Sequence, residues 1–212
     1  MKKYLFLIFC IVMAGNVVAQ RSSDQRRLVL ALDLGSVTSI NKSAVSAFED
    51  ITESYSMPSV SCFFGIKGAE KARYYGVSVE GSAARTDLMY APLSLYEEDF
   101  GSIMALLYAK QFVPLAGRVD VWYGCGVGAA WLSNDYVASG NNKTVNRKGL
   151  AAKFEVGLVY NVTDYSFIGL SGGFVPISFI GGGKYDAPVA LLKNSNDILF
   201  GRQIMLNYGV KF

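Results

Sequence analysis

From Val119 to Trp131 every second residue is apolar: Val119, Val121, Tyr123, Cys125, Val127, Ala129 and Trp131 alternate with Asp120, Trp122, Gly124, Gly126 and Gly128. A period of two marks a strand whose faces meet different surroundings, because successive side chains leave opposite sides of the pleat. The pattern recurs along the chain. Leu28, Leu30, Leu32 and Leu34 alternate with Val29, Ala31, Asp33 and Gly35, and Tyr75, Val77 and Val79 with Gly76, Ser78 and Glu80. Leu150, Ala152, Phe154, Val156, Leu158 and Tyr160 alternate with Lys153, Glu155, Gly157 and Asn161. The last segment sets Ile204, Leu206, Tyr208, Val210 and Phe212 against Gln203, Met205, Asn207, Gly209 and Lys211. One face is greasy; the other carries charge and glycine.

Read this way, the chain predicts eight strands at about 27–35, 59–67, 72–85, 100–113, 118–132, 149–161, 166–180 and 200–212. The connections alternate in length, long over 36–58, 86–99, 133–148 and 181–199 and short over 68–71, 114–117 and 162–165. Tight turns at one end and extended loops at the other are the asymmetry of a bacterial outer-membrane barrel. Beyond the N-terminus no apolar run exceeds Ile103–Ala109, far short of the roughly 18 residues that a membrane helix needs. Lipid offers no water to backbone groups, so a β-structure that spans it must close on itself. The expected fold is all-β: an eight-stranded antiparallel up-and-down transmembrane β-barrel over residues 20–212. Two strands resist a facing assignment. Ile103 to Ala109 is apolar on both sides, and Pro176 predicts a bulge or an early end in the seventh strand.

Residues 1–19 read as an address. Met1-Lys2-Lys3 is a positive n-region, Tyr4 to Ala14 an unbroken apolar stretch, and Val17-Val18-Ala19 a cleavage context, so a signal peptide cleaved after Ala19 is expected. Cys10 lies inside the apolar stretch, which argues against a lipid anchor. Loss of Lys2 and Lys3 brings a formal charge of +3 to +1 in the mature chain. The remaining thiols, Cys62 and Cys125, fall on the outer face of non-adjacent strands. Their Cβ vectors point apart, so no disulfide is expected between them.

Composition excludes much chemistry. The chain contains no His, which removes imidazole acid/base catalysis, His-activated nucleophiles and His-ligated metals together. Basic residues number 20 against 17 acidic ones and form no block beyond Arg26-Arg27, so nucleic acid is not an expected partner. Gly124-Cys125-Gly126-Val127-Gly128 lies inside a strand with no helix after it, the context a dinucleotide site requires. Gly181-Gly182-Gly183-Lys184-Tyr185 lacks phosphate-loop spacing. No cofactor and no resident metal follow from any of these residues. Glu97-Glu98-Asp99 is expected as a solvated face of the second long loop, and Ser43 to Glu53 has the spacing of a short amphipathic piece in the first.

The inward set defines the candidate site. Asp33, Glu80, Arg118, Asp120, Lys153, Glu155 and Lys211 would share a lumen that eight strands leave just wide enough for side chains to fill. Charges there must be paired and hydrogen-bonded, so a lumen polar network is expected, with inward glycines making room for Trp122 and the long cationic chains. Tyr75, Phe112, Trp131, Tyr160 and Phe212 are expected in the interfacial aromatic girdles.

Ile204, Leu206, Tyr208, Val210 and Phe212 resemble the terminal assembly signal of outer-membrane barrels. With the signal peptide and eight strands, the mature chain resembles the small OmpA/OmpX-type barrels of the porin-like outer-membrane family of Gram-negative bacteria. The Ala19-Gln20 junction is similar to that of Bacteroidetes exports. The resemblance implies an outer-membrane location and, as partners, the barrel-assembly machinery, membrane lipid and lipopolysaccharide. It carries over no active-site residue: barrel enzymes that modify lipid A, phospholipases and omptin-type proteases use a His that is missing here. Three functions stay open at this point. One is a structural or surface-interaction barrel with four long extracellular loops able to bind an external ligand. The others are a narrow channel for small solutes and an exported soluble lipocalin-like carrier, in which the two faces would be inverted.

Overall fold

The computed structural model describes residues 28–42, 52–69, 72–90, 94–138, 141–182 and 198–212. They form eight antiparallel strands: β1 (Leu28–Lys42), β2 (Thr52–Lys67), β3 (Arg73–Tyr90), β4 (Ser94–Ala116), β5 (Val119–Ala138), β6 (Asn141–Asn161), β7 (Ser166–Gly182) and β8 (Ile198–Lys211). Each strand pairs with its neighbours in sequence, and β8 returns to β1 to close a barrel. At the seam the Leu28 N–H donates to the Phe212 carbonyl at 2.7 Å and the Phe212 N–H to the Leu28 carbonyl at 2.9 Å. A closed ladder has no edge to leave unpaired.

The turns at one end are tight for local reasons. The Gly68 N–H reaches the Arg73 carbonyl at 2.8 Å across the β2–β3 connection. Gly117 carries φ +55° between β4 and β5, a left-handed conformation that costs glycine nothing. Between β6 and β7 the Thr163 hydroxyl accepts from the Tyr165 and Ser166 N–H groups at 3.1 and 3.0 Å, an ST turn.

The opposite end differs from the expectation of four long loops. β3 and β4 stay paired from Arg85↔Asp99 to Tyr90↔Ser94, and β5 and β6 from Ser133↔Asn146 to Ala138↔Asn141. The connections expected over 86–99 and 133–148 are thus mostly strand, and Glu97-Glu98-Asp99 lies in β4 rather than in a loop. Above an apolar belt both faces of a strand meet water, so no hydropathy alternation marks it. The expected amphipathic piece falls largely on 43–51, outside the described residues, with Thr52 and Glu53 in β2. Of the fourth expected loop, 181–199, the first two residues belong to β7 and the last two to β8; the rest falls on 183–197, also outside the described residues, as does the expected signal peptide. Pro176 does not end β7, which continues to Gly182; its ladder to β6 is interrupted between Ala151↔Ile177 and Phe154↔Phe174, and the irregularity expected in this strand lies four residues beyond the proline, where the register shifts by one residue between Lys148↔Gly181 and Gly149↔Phe179. A proline has no N–H to give that ladder.

Side chains partition in the reverse of a soluble protein. Leu107 is 72% exposed, Val127 63% and Ile204 66%, while Lys153 is 0% and Glu80 1% exposed. A lipocalin-like carrier requires the opposite facing. The parity of β4 and β7 is also settled: Met104, Leu106, Tyr108, Lys110 and Phe112 face inward from β4, and Phe167, Ser171, Val175, Ile177 and Phe179 from β7. Cys62 and Cys125 are free and exposed on the outer wall.

Candidate functional site: the barrel lumen

The lumen centres on a buried cation between two carboxylates. Lys153 of β6 sets its Nζ 2.6 Å from Glu80 Oε2, which reaches over from β3, and 3.2 Å from Oε1 of Glu155, two residues along its own strand. Each carboxylate has further donors. Ser59 donates to Glu80 Oε1 at 3.0 Å, Tyr108 to Glu155 Oε2 at 2.6 Å, and Gln203 Nε2 to Glu155 Oε1 at 2.8 Å. All are buried, so the charges are neutralised within protein rather than by solvent.

Glycine placement explains how strands that are not neighbours share this site. Tyr108 on β4 reaches Glu155 on β6 by lying across β5, where a Cβ at Gly124 or Gly126 would collide with its ring. Gln203 on β8 reaches the same carboxylate across β7, where a Cβ at Gly173 would fall 2.8 Å from its Nε2. Trp122 lies over Gly157 and Phe167 over Gly209 in the same manner. The glycines expected to make room for Trp122 and the long cationic chains do so for Trp122, and otherwise serve chiefly the Tyr108 and Phe167 rings.

A second cluster joins β1, β7 and β8. Asn207 Nδ2 donates to Asp33 Oδ1 at 2.8 Å and contacts the Ser171 hydroxyl at 3.1 Å. Toward the tight turns, Lys211 lies 3.8 Å from Asp120 Oδ2, which also accepts from Asn161 Nδ2 at 2.9 Å. Lys211 also lies over the Phe112 ring, 4.5 Å from its centroid. Around these sits an aromatic lattice, with edge-to-face pairs Phe63–Tyr108, Tyr74–Phe112 and Phe112–Phe167 at 5.4 to 5.9 Å between centroids.

The structure therefore brings Glu80, Lys153 and Glu155 into one cluster, Asp120 and Lys211 into another, and Asp33 into a third. Arg118 is a correction. It precedes β5, is exposed, and donates to the Val162 carbonyl at 3.3 Å, because the polar-apolar alternation runs one residue beyond the strand, into the β4–β5 turn. Phe112 is another: it is 3% exposed and faces the lumen instead of a girdle. Tyr75, Trp131 and Tyr160 are exposed on the outer wall, and Phe212 is half-buried at the seam. In the terminal strand Ile204 and Leu206 project outward and Tyr208 is half-buried, whereas Val210 is only 2% exposed.

Sequence reasoning missed Lys110, buried with its Nζ 3.7 Å from the centroid of the Trp122 ring and 5.5 Å from that of Phe63. The signal was present. In a strand apolar on both faces, one lysine that cannot face lipid fixes the parity, and Lys110 would have turned Tyr108 and Phe112 inward with it.

No family model matches the chain, and no curated protein matches it in sequence. Solved structures do. Neisserial surface protein A superposes with a TM-score of 0.54 at 13% identity, over 87% of this chain and 97% of that one. Ail, the attachment invasion locus protein of Yersinia pestis, gives 0.49 at 13% identity over 88% and 99%. OprG of Pseudomonas aeruginosa gives 0.46 at 12% over 88% and 96%. At such identities likeness speaks for architecture, and the first of the three carries it. A closed eight-stranded antiparallel barrel, apolar outside and polar within, is the fold of the small outer-membrane β-barrels, and this chain has that fold.

Proposed function

We propose that the protein is a non-enzymatic, outer-membrane-spanning barrel with a structural or surface-interaction role, its lumen plugged by side chains and its longer connections turned outward. The observation that carries this reading is the inverted partition, with Leu107 72% exposed on the wall and Lys153 fully buried in the centre. A wall of exposed Leu, Val, Ile and Phe around the whole circumference has no stable aqueous state, and a bilayer is the solvent that fits it. Neisserial surface protein A shares the fold and is by its name a surface protein, which agrees with the proposal.

The lumen supports a plug rather than a path. Glu80, Lys153 and Glu155 bridge the interior, and Phe63, Tyr108, Phe112, Trp122 and Phe167 fill the space around them. No nucleophile with an activating base occurs among these groups, so the lumen offers structure and not turnover. Binding to an external ligand belongs to the loop end, where the rigid barrel would hold the connections. Recognition by the barrel-assembly machinery belongs to β8, through Ile204 and Leu206 on its outer face.

Membrane fractionation of cells expressing the full chain, followed by gel mobility of the detergent extract with and without boiling, tests this. Recovery in the outer membrane with a heat-dependent mobility shift supports the proposal. A soluble periplasmic protein of unchanged mobility refutes it.

A further inference from the structure

We infer that Asn207 is the register key of the barrel: its amide nitrogen, bonded to Asp33 on β1 and to Ser171 on β7, selects the alignment in which β8 closes the wall. Seven of the eight ladders join strands consecutive in the chain, where the connection limits the alignment. The eighth, between β1 and β8, joins the two ends of the barrel and has no connection to set it. Its alignment must come from the side chains that meet across the seam.

The outer positions do not supply it. Leu30, Leu32 and Leu34 pair with Val210, Tyr208 and Leu206, and Ile204 follows on β8. A slip of two residues is the smallest that keeps every side chain on its own face. It would set Leu32 against Leu206 or Val210, and Leu34 against Ile204 or Tyr208. Apolar still meets apolar, so the outer face does not distinguish the three alignments.

The lumen positions do. The inward residues of β1 from Val29 to Val37 are Val29, Ala31, Asp33, Gly35 and Val37, so Asp33 is the single polar group among them, and it is buried. It pairs with Asn207, also buried, whose Nδ2 donates to Asp33 Oδ1 at 2.8 Å and to the Ser171 hydroxyl at 3.1 Å. A carboxylate only accepts, so it dictates which end of the amide turns toward β1. The two hydrogens of one nitrogen thus set β8 against both of its neighbours. In the next inward pair, Met205 occupies the space that a Cβ at Gly35 would need, its Sδ 2.7 Å from that position. Both fits fail together on a slip. Asp33 would meet Met205 or Gly209, neither of which has a side-chain donor, and Met205 would meet Asp33 or Val37 in place of the glycine. A buried carboxylate deprived of its donor disfavours either slipped closure. A lone buried Asn that fixes alignment at some cost in stability has its counterpart in coiled coils.

Disulfide trapping across the seam tests the inference. Barrels are purified from cells expressing the full chain, with Cys62→Ala and Cys125→Ala as background, and oxidised. One cysteine pair, Leu34→Cys with Leu206→Cys, reports the native alignment; Leu34→Cys with Ile204→Cys and Leu34→Cys with Tyr208→Cys report the two slips. Directly opposite Cα atoms lie about 5.5 Å apart, within reach of a disulfide, whereas positions two residues off lie beyond the limit of about 7 Å. With Asp33 and Asn207 in place, the native pair should bridge at least tenfold more than either other pair. Asp33→Val with Asn207→Leu should still give a heat-modifiable barrel, but with that preference below threefold. The exchange Asp33→Asn with Asn207→Asp keeps a donor opposite an acceptor and should retain the tenfold preference. Phe112→Ala, which weakens the core away from the seam, should retain it too, separating alignment from stability. Four results overturn the inference: an unchanged preference in the Val and Leu variant, failure of that variant to form a barrel, loss of preference in the exchanged pair, or an equal loss in Phe112→Ala.

Discussion

Replacing Lys153 by Met leaves the volume of the lumen nearly unchanged and removes its central charge. Glu80 Oε2 then loses its 2.6 Å partner, and the carboxylate keeps only the Ser59 hydroxyl on its other oxygen. Glu155 fares better, retaining Tyr108 on Oε2 and Gln203 on Oε1. Breaking a buried pair by removing one partner costs about 3–5 kcal/mol, because the other charge stays buried without compensation. A loss of about 4 kcal/mol lowers the folding constant roughly a thousandfold. With an m-value of about 2 kcal/mol/M it moves a urea midpoint by about 2 M. The asymmetry between the carboxylates makes the prediction specific. Lys153→Met with Glu80→Gln should recover about 2 kcal/mol, since the amide needs no counter-charge and still accepts from Ser59, whereas Lys153→Met with Glu155→Gln should recover less. The assay is equilibrium unfolding in urea of barrels refolded into phospholipid vesicles, followed by tryptophan fluorescence. A Lys153→Met variant within about 1 kcal/mol of wild type, or equal recovery by the two double variants, would show that the cluster does not hold the barrel together as described.

Other consequences follow from the same geometry. Gly124→Val should displace the Tyr108 ring from Glu155 and cost about 3 kcal/mol in the same unfolding assay, while Gly101→Val, which meets nothing, should stay within about 0.5 kcal/mol of wild type. In planar bilayers the wild-type barrel should give no stepwise conductance; a reproducible open level would contradict the plugged lumen. Cys62 and Cys125 should both react with an apolar, membrane-partitioning maleimide and resist a charged thiosulfonate when the barrel is reconstituted, and the unreduced mass should show no bridge between them. Phe112→Ala should destabilise by about 3–5 kcal/mol as a core residue, not by the few tenths expected of a girdle aromatic.

What the sequence made legible was set by contrast between environments. Where one face meets lipid and the other the lumen, as at Val119 to Trp131 or Leu150 to Tyr160, alternation gave both strand and facing. It fell silent where the contrast vanished. Arg85 to Tyr90 and Asn141 to Asn146 are strand without apolar alternation, so they read as loop. Ile103 to Ala109 is apolar on both sides because Met104 and Leu106 pack inside while Ile103 and Leu107 face out. That ambiguity leaves the lumen-facing side of Phe112 unmarked in the sequence. The charged residues of the lumen were visible as a set, but their partners were not: Tyr108 and Gln203 reach Glu155 only because glycines on intervening strands let them cross, and register across a closed barrel is not written in local periodicity.

The chain's two tryptophans offer the most direct test of its inside-out architecture. Trp131 is 44% exposed on the wall and Trp122 is 0% exposed in the lumen. In vesicles of lipid brominated along the acyl chains, the Trp122→Phe variant, which retains only Trp131, should lose most of its fluorescence, and the Trp131→Phe variant, which retains only Trp122, should lose almost none. Quenching of Trp122 together with sparing of Trp131 would place the lipid on the wrong side of the sheet and contradict the account.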